Sequence, residues 1–350
     1  MKTDAVDAHA EIGVRNSQPE GIGRVVALEQ TIAWNNLGRN IVFADHALRP
    51  RCIFGTTTFP DDDELSQYDL DIHAILELPR SDLVLALNHL GSLRAFRGSE
   101  LARPGPIRVI EPVTTMSFVA DVERTVIAAG RLIGSGPRSE GGVGVLISEP
   151  VTDAPDGAAL EVDLCAQHFG EVTGLGVIEQ TGEDLVALGG DGHVALLAGG
   201  GGDLRHPRWE VAVPFRVATC AWDGTLLWVT GSERPAGPVD DYDWDSVHGG
   251  GFAGLDRSDG RTVVAGPLPD AIAWGTGGTP VAPCGHGLAA VGRDGRVHVL
   301  DTRRGEWRST APLTSTSLGM AHAAAIDDRV LFGLNRGGYR LHATVTADRA

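Results

Sequence analysis

Two stretches of this sequence gather carboxylates at spacings suited to binding a cation. "FPDDDELSQYDLDIHA" (59–74) holds Asp61, Asp62, Asp63, Glu64, Asp69 and Asp71, with His73 near its end and no Lys or Arg. "GSERPAGPVDDYDWDSVHGGG" (231–251) holds Glu233, Asp240, Asp241, Asp243 and Asp245 against a single Arg234. Within the second stretch Asp241, Asp243 and Asp245 alternate like the opening ligands of a calcium loop. Hard cations want several oxygens, and alternate residues of a curled loop converge on one ion. A divalent cofactor, Ca2+ or Mg2+, is the ion such a loop would hold. The pattern departs twice, with Ser246 at the turn glycine and Phe252 at the bidentate glutamate. The competing reading is a solvated acidic loop whose Tyr242 and Trp244 pack down or face a ligand. The first stretch also has two readings. Pro60 followed by Asp61 to Glu64 suits the start of a short helix, where carboxylates meet free N–H groups and the helix dipole. Alternatively, the cluster is a cation-binding mouth or a docking surface for a basic protein.

Imidazole and guanidinium groups recur where apolar runs begin. His73 opens "HAILELPRSDLVLALN" and His322 opens "HAAAIDDRVLFGLN", and superposing the runs brings the two histidines into register. Arg24 and Arg216 open two further runs. A mouth lined by two His and two Arg could bind an anionic small molecule. The histidines with Asp71 could hold a metal or move a proton in lyase or hydrolase chemistry, since imidazole is both ligand and base near neutral pH. His89 belongs to a turn on the same side and is a further ligand-binding candidate. The plain alternative is a hydrogen-bonded histidine at a strand end. No G-x-S-x-G, HExxH or P-loop pattern occurs, and the glycine-rich runs lack the helix that phosphate cradling needs.

The elements that must position these groups repeat. An apolar strand, a Gly-containing turn and a second apolar strand recur as "IAWNNLGRNIVFAD" (32–45), "VLALNHLGSLRAF" (84–96), "LVALGGDGHVALLA" (185–198), "LAAVGRDGRVHVLD" (288–301) and "VLFGLNRGGYRLHA" (330–343). Gly38, Gly91, Gly192, Gly295 and Gly338 supply the positive φ a tight hairpin needs. Two hairpins with longer loops, 125–148 and 225–256, fill the double-length gaps between them. The result is seven units of about 50 residues. A strand such as "RCIFGTT" (51–57), "IRVIEP" (107–112) or "RWEVAVP" (208–214) usually follows each hairpin, and another such as "HAILELP" (73–79) precedes it. Four antiparallel strands repeated seven times predict an all-β, seven-bladed β-propeller, a single domain over 1–350. The last unit stops short, so residues 1–20, through "HAEIGVRN" (9–16), are expected to close the ring as its outer strand. Counted this way, His73 and His322 fall on adjacent blades near the axis.

"VHVLDTRRGEWRST" (297–310) and "FAGLDRSDGRTVVAG" (252–266) share an apolar residue, Leu-Asp, a short turn with Gly and a new strand. This resembles the repeat of WD40-like and quinoprotein-like propellers. The resemblance implies a fold rather than an activity. It also implies that loops between second and third strands share a face with the connections between blades, which sets both acidic stretches on one face. The Trp-Asp ending of WD40 blades is absent. Propellers with iron on the axis use four inner-strand histidines, and only two line up here.

Composition narrows the partners. The net charge of −17 disfavours nucleic acid and anionic membranes, both of which need a basic footprint. It favours a basic protein or a cationic ligand. The start carries no apolar core of a secretory signal, and no apolar run approaches the length of a membrane span. Cys52, Cys165, Cys220 and Cys284 are scattered without a CxxC pair. A reduced, cytoplasmic protein is the expectation.

Overall fold

The computed structural model describes strands and short turns between Ile22 and Ala343, continuous over 206–232 and 250–269. Its longer stretches outside the described residues are 1–21, 55–71, 148–158, 199–205, 233–249, 270–280, 310–320, 335–341 and 344–350. Every regular element among the described residues is a β-strand, and none of them is a helix long and apolar enough to cross a membrane.

The strands form seven sheets. The first contains β1 (Ile22–Ala27), β2 (Ile32–Asn36), β3 (Asn40–Ala44) and β4 (Pro50–Phe54) in that order. The second is built on β5 (Ile72–Leu78), β6 (Leu83–Asn88) and β7 (Ser92–Arg97), with β8 (Glu100–Leu101) and β9 (Ile107–Val109) both pairing β7. The third holds β10 (Val113–Ala120), β11 (Thr125–Ile133) and β12 (Glu140–Ile147); β13 (Ala159–Leu160) leaves it, and β14 (Asp163–Phe169) completes it. The fourth is β15 (Val172–Ile178), β16 (Asp184–Gly189), β17 (His193–Ala198) and β18 (Pro207–Ala212). The fifth is β19 (Arg216–Trp222), β20 (Leu226–Ser232), β21 (Gly251–Asp256) and β22 (Thr262–Pro267). The sixth is β23 (Val281–Cys284), β24 (Gly287–Val291), β25 (Val297–Asp301) and β26 (Glu306–Ser309). The seventh shows β27 (Ala321–Ile326), β28 (Arg329–Leu334) and β29 (His342–Ala343). All seven hairpins expected from the sequence are present as antiparallel pairs. The first strands touch in a circuit: β1 lies beside β5, then β10, β15, β19, β23 and β27 follow, and β27 returns to β1.

One sheet departs from four antiparallel strands. β13, drawn from the third unit, pairs β9 of the second sheet in parallel through Ala159↔Arg108 and Leu160↔Val109. "IRVIEP" contributes only Ile107–Val109 to pairing, so a short edge remains, and β13 covers it.

The core lies between sheets. In β20 the side chains alternate by the two-residue period of a strand, and the alternation assigns them to different neighbours. Leu227 and Val229 join Val186, Leu188, Val194 and Leu196 of the fourth sheet. Trp228 joins Phe252 and Leu288, Ala290 and Leu300 of the sixth. Burial on both faces explains why these strands read as unbroken apolar runs. Each large side chain fully buried this way contributes about 1.5–3 kcal/mol. The outer strand β22 alternates between exposed and half-buried residues.

Aspartates hold the turns. Asp223 accepts the N–H groups of Thr225 and Leu226, both at 2.8 Å, and the buried Trp228 indole N–H at 2.7 Å. Asp256 accepts the Ser258 hydroxyl at 2.6 Å and its N–H at 2.8 Å, which holds the Asp256 carboxyl below its usual pKa. Asp45 accepts the Arg49 N–H at 3.0 Å. In the fifth sheet the Leu255-Asp256 pair therefore marks the end of the third strand and a side-chain-stapled turn. Gly192, with φ of 90°, donates its N–H to the Gly189 carbonyl in the hairpin turn of the fourth sheet.

Candidate functional site

Strand register gathers the candidate groups at one end of the sheets. In the fifth sheet Arg216 pairs Ser232, Gly231 pairs Gly251 and Gly251 pairs Pro267. The start of the first strand, the turn between the second and third, and the end of the fourth thus lie together. In the first sheet Ile22 pairs Asn36, Asn36 pairs Asn40 and Ile41 pairs Phe54, which gives the same arrangement. The segment 55–71 leaves from Phe54 and enters β5 at Ile72; the segment 233–249 leaves from Ser232 and returns at Gly250. Both acidic segments are anchored at this end.

At the same end, pairing of the first strand is interrupted by a bulge at its second or third residue in sheets one to five. The skipped residues are Gly23 and Arg24 in β1, His73 in β5, Thr114 in β10, Thr173 in β15 and Ala218 in β19. β23 and β27 pair without a shift. A bulge adds a residue to one strand only, bends it and re-aims its side chains, and bulges are common beside active sites. Period-two reading of a sequence assumes an unbroken ladder, so it contains no signal for them.

This register corrects the equivalence drawn from the sequence. His73 occupies a bulge, whereas His322 stands in a regular pair with Gly333. The two histidines are not on neighbouring sheets, because β1 packs between β5 and β27. Arg24 lies in the bulge of β1, while Arg216 precedes the bulge of β19 by two residues. Arg216 is buried, at 6 % exposure. Asp71, His89, Asp241, Tyr242, Asp243, Trp244 and Asp245 lie outside the described residues. Among the described residues no three His, Cys, Asp or Glu side chains form a metal cluster.

Three features of the structure have no signal in the hydrophobic pattern. The first is an open cleft of about 580 Å³ at the mouth end of the fifth sheet, lined by Pro214, Phe215, Gly251, Phe252, Ala265 and Pro267. The second is its glycine neck. A Cβ on Gly231 would strike the Arg216 carbonyl, one on Gly250 (φ of 147°) the Gly231 carbonyl, and one on Gly251 the Phe215 ring. The run Gly249-Gly250-Gly251 is the trace such close approach leaves in a sequence. The third lies at the opposite end. Asp184, 1 % exposed, pairs with Arg257 at 2.6 Å and with Arg208 at 2.9 Å, the latter as an ion pair without hydrogen-bond geometry. The Trp209 indole donates to the Arg257 carbonyl at 2.7 Å.

Cys220 shows intermediate exposure as a residue, but its thiol is enclosed, and burial pushes its pKa up to about 12. Burial also raises Cys52, against a smaller opposing hydrogen bond from the Phe43 backbone. Neither is an activated nucleophile.

No protein-family model matches the chain, and no curated protein matches it. Solved structures do. The WD40 beta-propeller domain of Doa1 superposes with a TM-score of 0.60 at 10 % identity, covering 97 % of each chain. BamB from Moraxella catarrhalis superposes with a TM-score of 0.55 at 11 % identity, covering 97 % of this chain and 99 % of its own. The computationally designed Ika8 protein gives 0.55 at 12 % identity, over 95 % and 99 %. At such identities the likeness concerns the fold, which is that of a WD40-like β-propeller.

Proposed function

We propose that this WD40-like propeller is a binding protein whose acidic face holds a basic partner. The observation that carries this reading is the shared anchoring of segments 55–71 and 233–249 at one end of the sheets. Carboxylates concentrated on one face and a net charge of −17 steer a cationic partner before contact. We take the seven sheets as seven blades of one domain, closed by residues 9–16 pairing the outer side of the seventh sheet, and the cytoplasm as its compartment. Affinity purification of the full chain tests the reading. A basic protein should co-purify and be lost when Asp61 to Glu64 are replaced by Asn and Gln. Retention of the same partner by the neutralised chain refutes the acidic face.

A second reading is favoured by the bulges at the start of the inner strands and by buried Arg216. The axial mouth would then bind a small molecule, with Arg24 and Arg216 as anion contacts and His73, His322 and Asp71 as metal or proton-transfer groups. Metal analysis of the purified chain with a chelator-dependent melting shift supports this reading. Unchanged binding and turnover in His73→Ala and His322→Ala removes it.

A further inference from the structure

The outer edge of the fifth sheet differs from those of the first, fourth and sixth sheets. β22 reads Thr-Val-Val-Ala-Gly-Pro and carries no charge, whereas β4 carries Arg51, β18 carries Arg208 and Glu210, and β26 carries Glu306 and Arg308. Charge on an edge strand ordinarily prevents pairing with other chains. Among the described residues no further strand pairs β22. Val263 is skipped in the β21–β22 ladder, and it is 52 % exposed. Beyond the bulge, Val264 to Gly266 run into the cleft of about 580 Å³ floored by Phe215 and Phe252. The cleft stays open because its wall lacks side chains: a Cβ on Gly266 would approach the Phe252 ring at 3.0 Å.

The lining is uncharged, so the cleft suits an apolar residue. Its rim is where the chain of 233–249 leaves and returns, and that stretch carries Glu233, Asp240, Asp241, Asp243 and Asp245 against Arg234. On the acidic-face reading, an apolar seat whose rim bounds this acidic stretch of sequence selects its occupant by charge complementarity. We propose that the blade-five edge and cleft bind an extended peptide segment of a partner protein, with an apolar residue in the cleft and Lys or Arg on either side of it. This rests on the acidic-face reading and adds the place and chemistry of the anchor. The apolar residue supplies the desolvated contact, the basic residues supply attraction and register, and Val264 to Gly266 offer main chain to an extended strand.

The test is selection of random linear peptides on the immobilised full chain, followed by anisotropy titration of the synthetic consensus peptide. The expected consensus is an apolar residue flanked by Lys or Arg. Ala265 is exposed, so Ala265→Arg and the uncharged Ala265→Gln keep the fold, as their melting temperatures will verify. Both should weaken the consensus peptide about tenfold or more, Ala265→Arg the further of the two. A basic consensus indifferent to both variants but lost on neutralising Asp61 to Glu64 overturns the cleft and leaves the acidic face standing. A consensus without Lys or Arg overturns both. No enrichment at all overturns the cleft proposal, and the co-purification experiment then decides the acidic face alone.

Discussion

Asp184 and Arg257, 73 residues apart in the chain, meet at 2.6 Å across the boundary between the fourth and fifth sheets. The carboxylate is buried, and Arg257 sits in the turn between β21 and β22, where its carbonyl also accepts the Trp209 indole N–H. Breaking one side of a buried pair strands a charge. Arg257→Ala should cost about 2 kcal/mol in urea unfolding, less than the full penalty of a buried pair because Arg208 remains and Arg257 is partly exposed. A loss within about 0.5 kcal/mol of zero would mean that the pair does not tie the two sheets together.

The neck of the fifth sheet tolerates no side chain. Gly251→Ala would drive a methyl group into the Phe215 ring, which is itself packed in the core. Overpacking of this kind costs about 1–3 kcal/mol, so the variant should melt several degrees lower while remaining folded. An unchanged melting curve would contradict the close approach of Gly251 and Phe215.

The buried thiol gives an alkaline signature. In the unfolded chain Cys220 ionises near 9.0, and in the folded chain near 12. Its contribution to stability is therefore complete below about pH 9 and declines as pH rises toward 12. Native protein at pH 8 should leave Cys220 unlabelled by iodoacetamide, as read by peptide mass mapping, and label it only in denaturant. Cys220→Ala should flatten the alkaline fall in stability. Rapid native labelling would show the thiol to be accessible.

Ring closure is tested by truncation. If residues 9–16 close the seventh sheet as proposed, removing residues 1–20 should lower the melting temperature sharply, because the sheet would lose its outer strand and the ring its cooperativity. Equal melting temperatures would refute the latch.

The strands were legible in the sequence because each hairpin states its own cause. Apolar runs buried on both faces, such as Leu227-Trp228-Val229, bracket turns stapled by Asp223 or relieved by Gly192. The site was legible only as an end of the sheets. The bulge at His73 cannot be read from alternation, so the register matching it to His322 failed by that extra residue. The sheet order also fell outside local patterns, since contact of β27 with β1 separates the two histidines. The cleft and the Asp184 cluster join residues from different strands, and nothing local in the sequence announces either.

In the proposed binding mode, negative charge anchored at the mouth end holds the partner. Its most direct measurement is titration of the basic protein that co-purifies with the full chain against wild type and against a chain with Asp61 to Glu64 and Asp240, Asp241, Asp243 and Asp245 all neutralised. Neutralisation should weaken binding at least about tenfold, reduce its dependence on salt and leave the melting temperature unchanged. Equal affinity for the two chains at low ionic strength would contradict this binding mode.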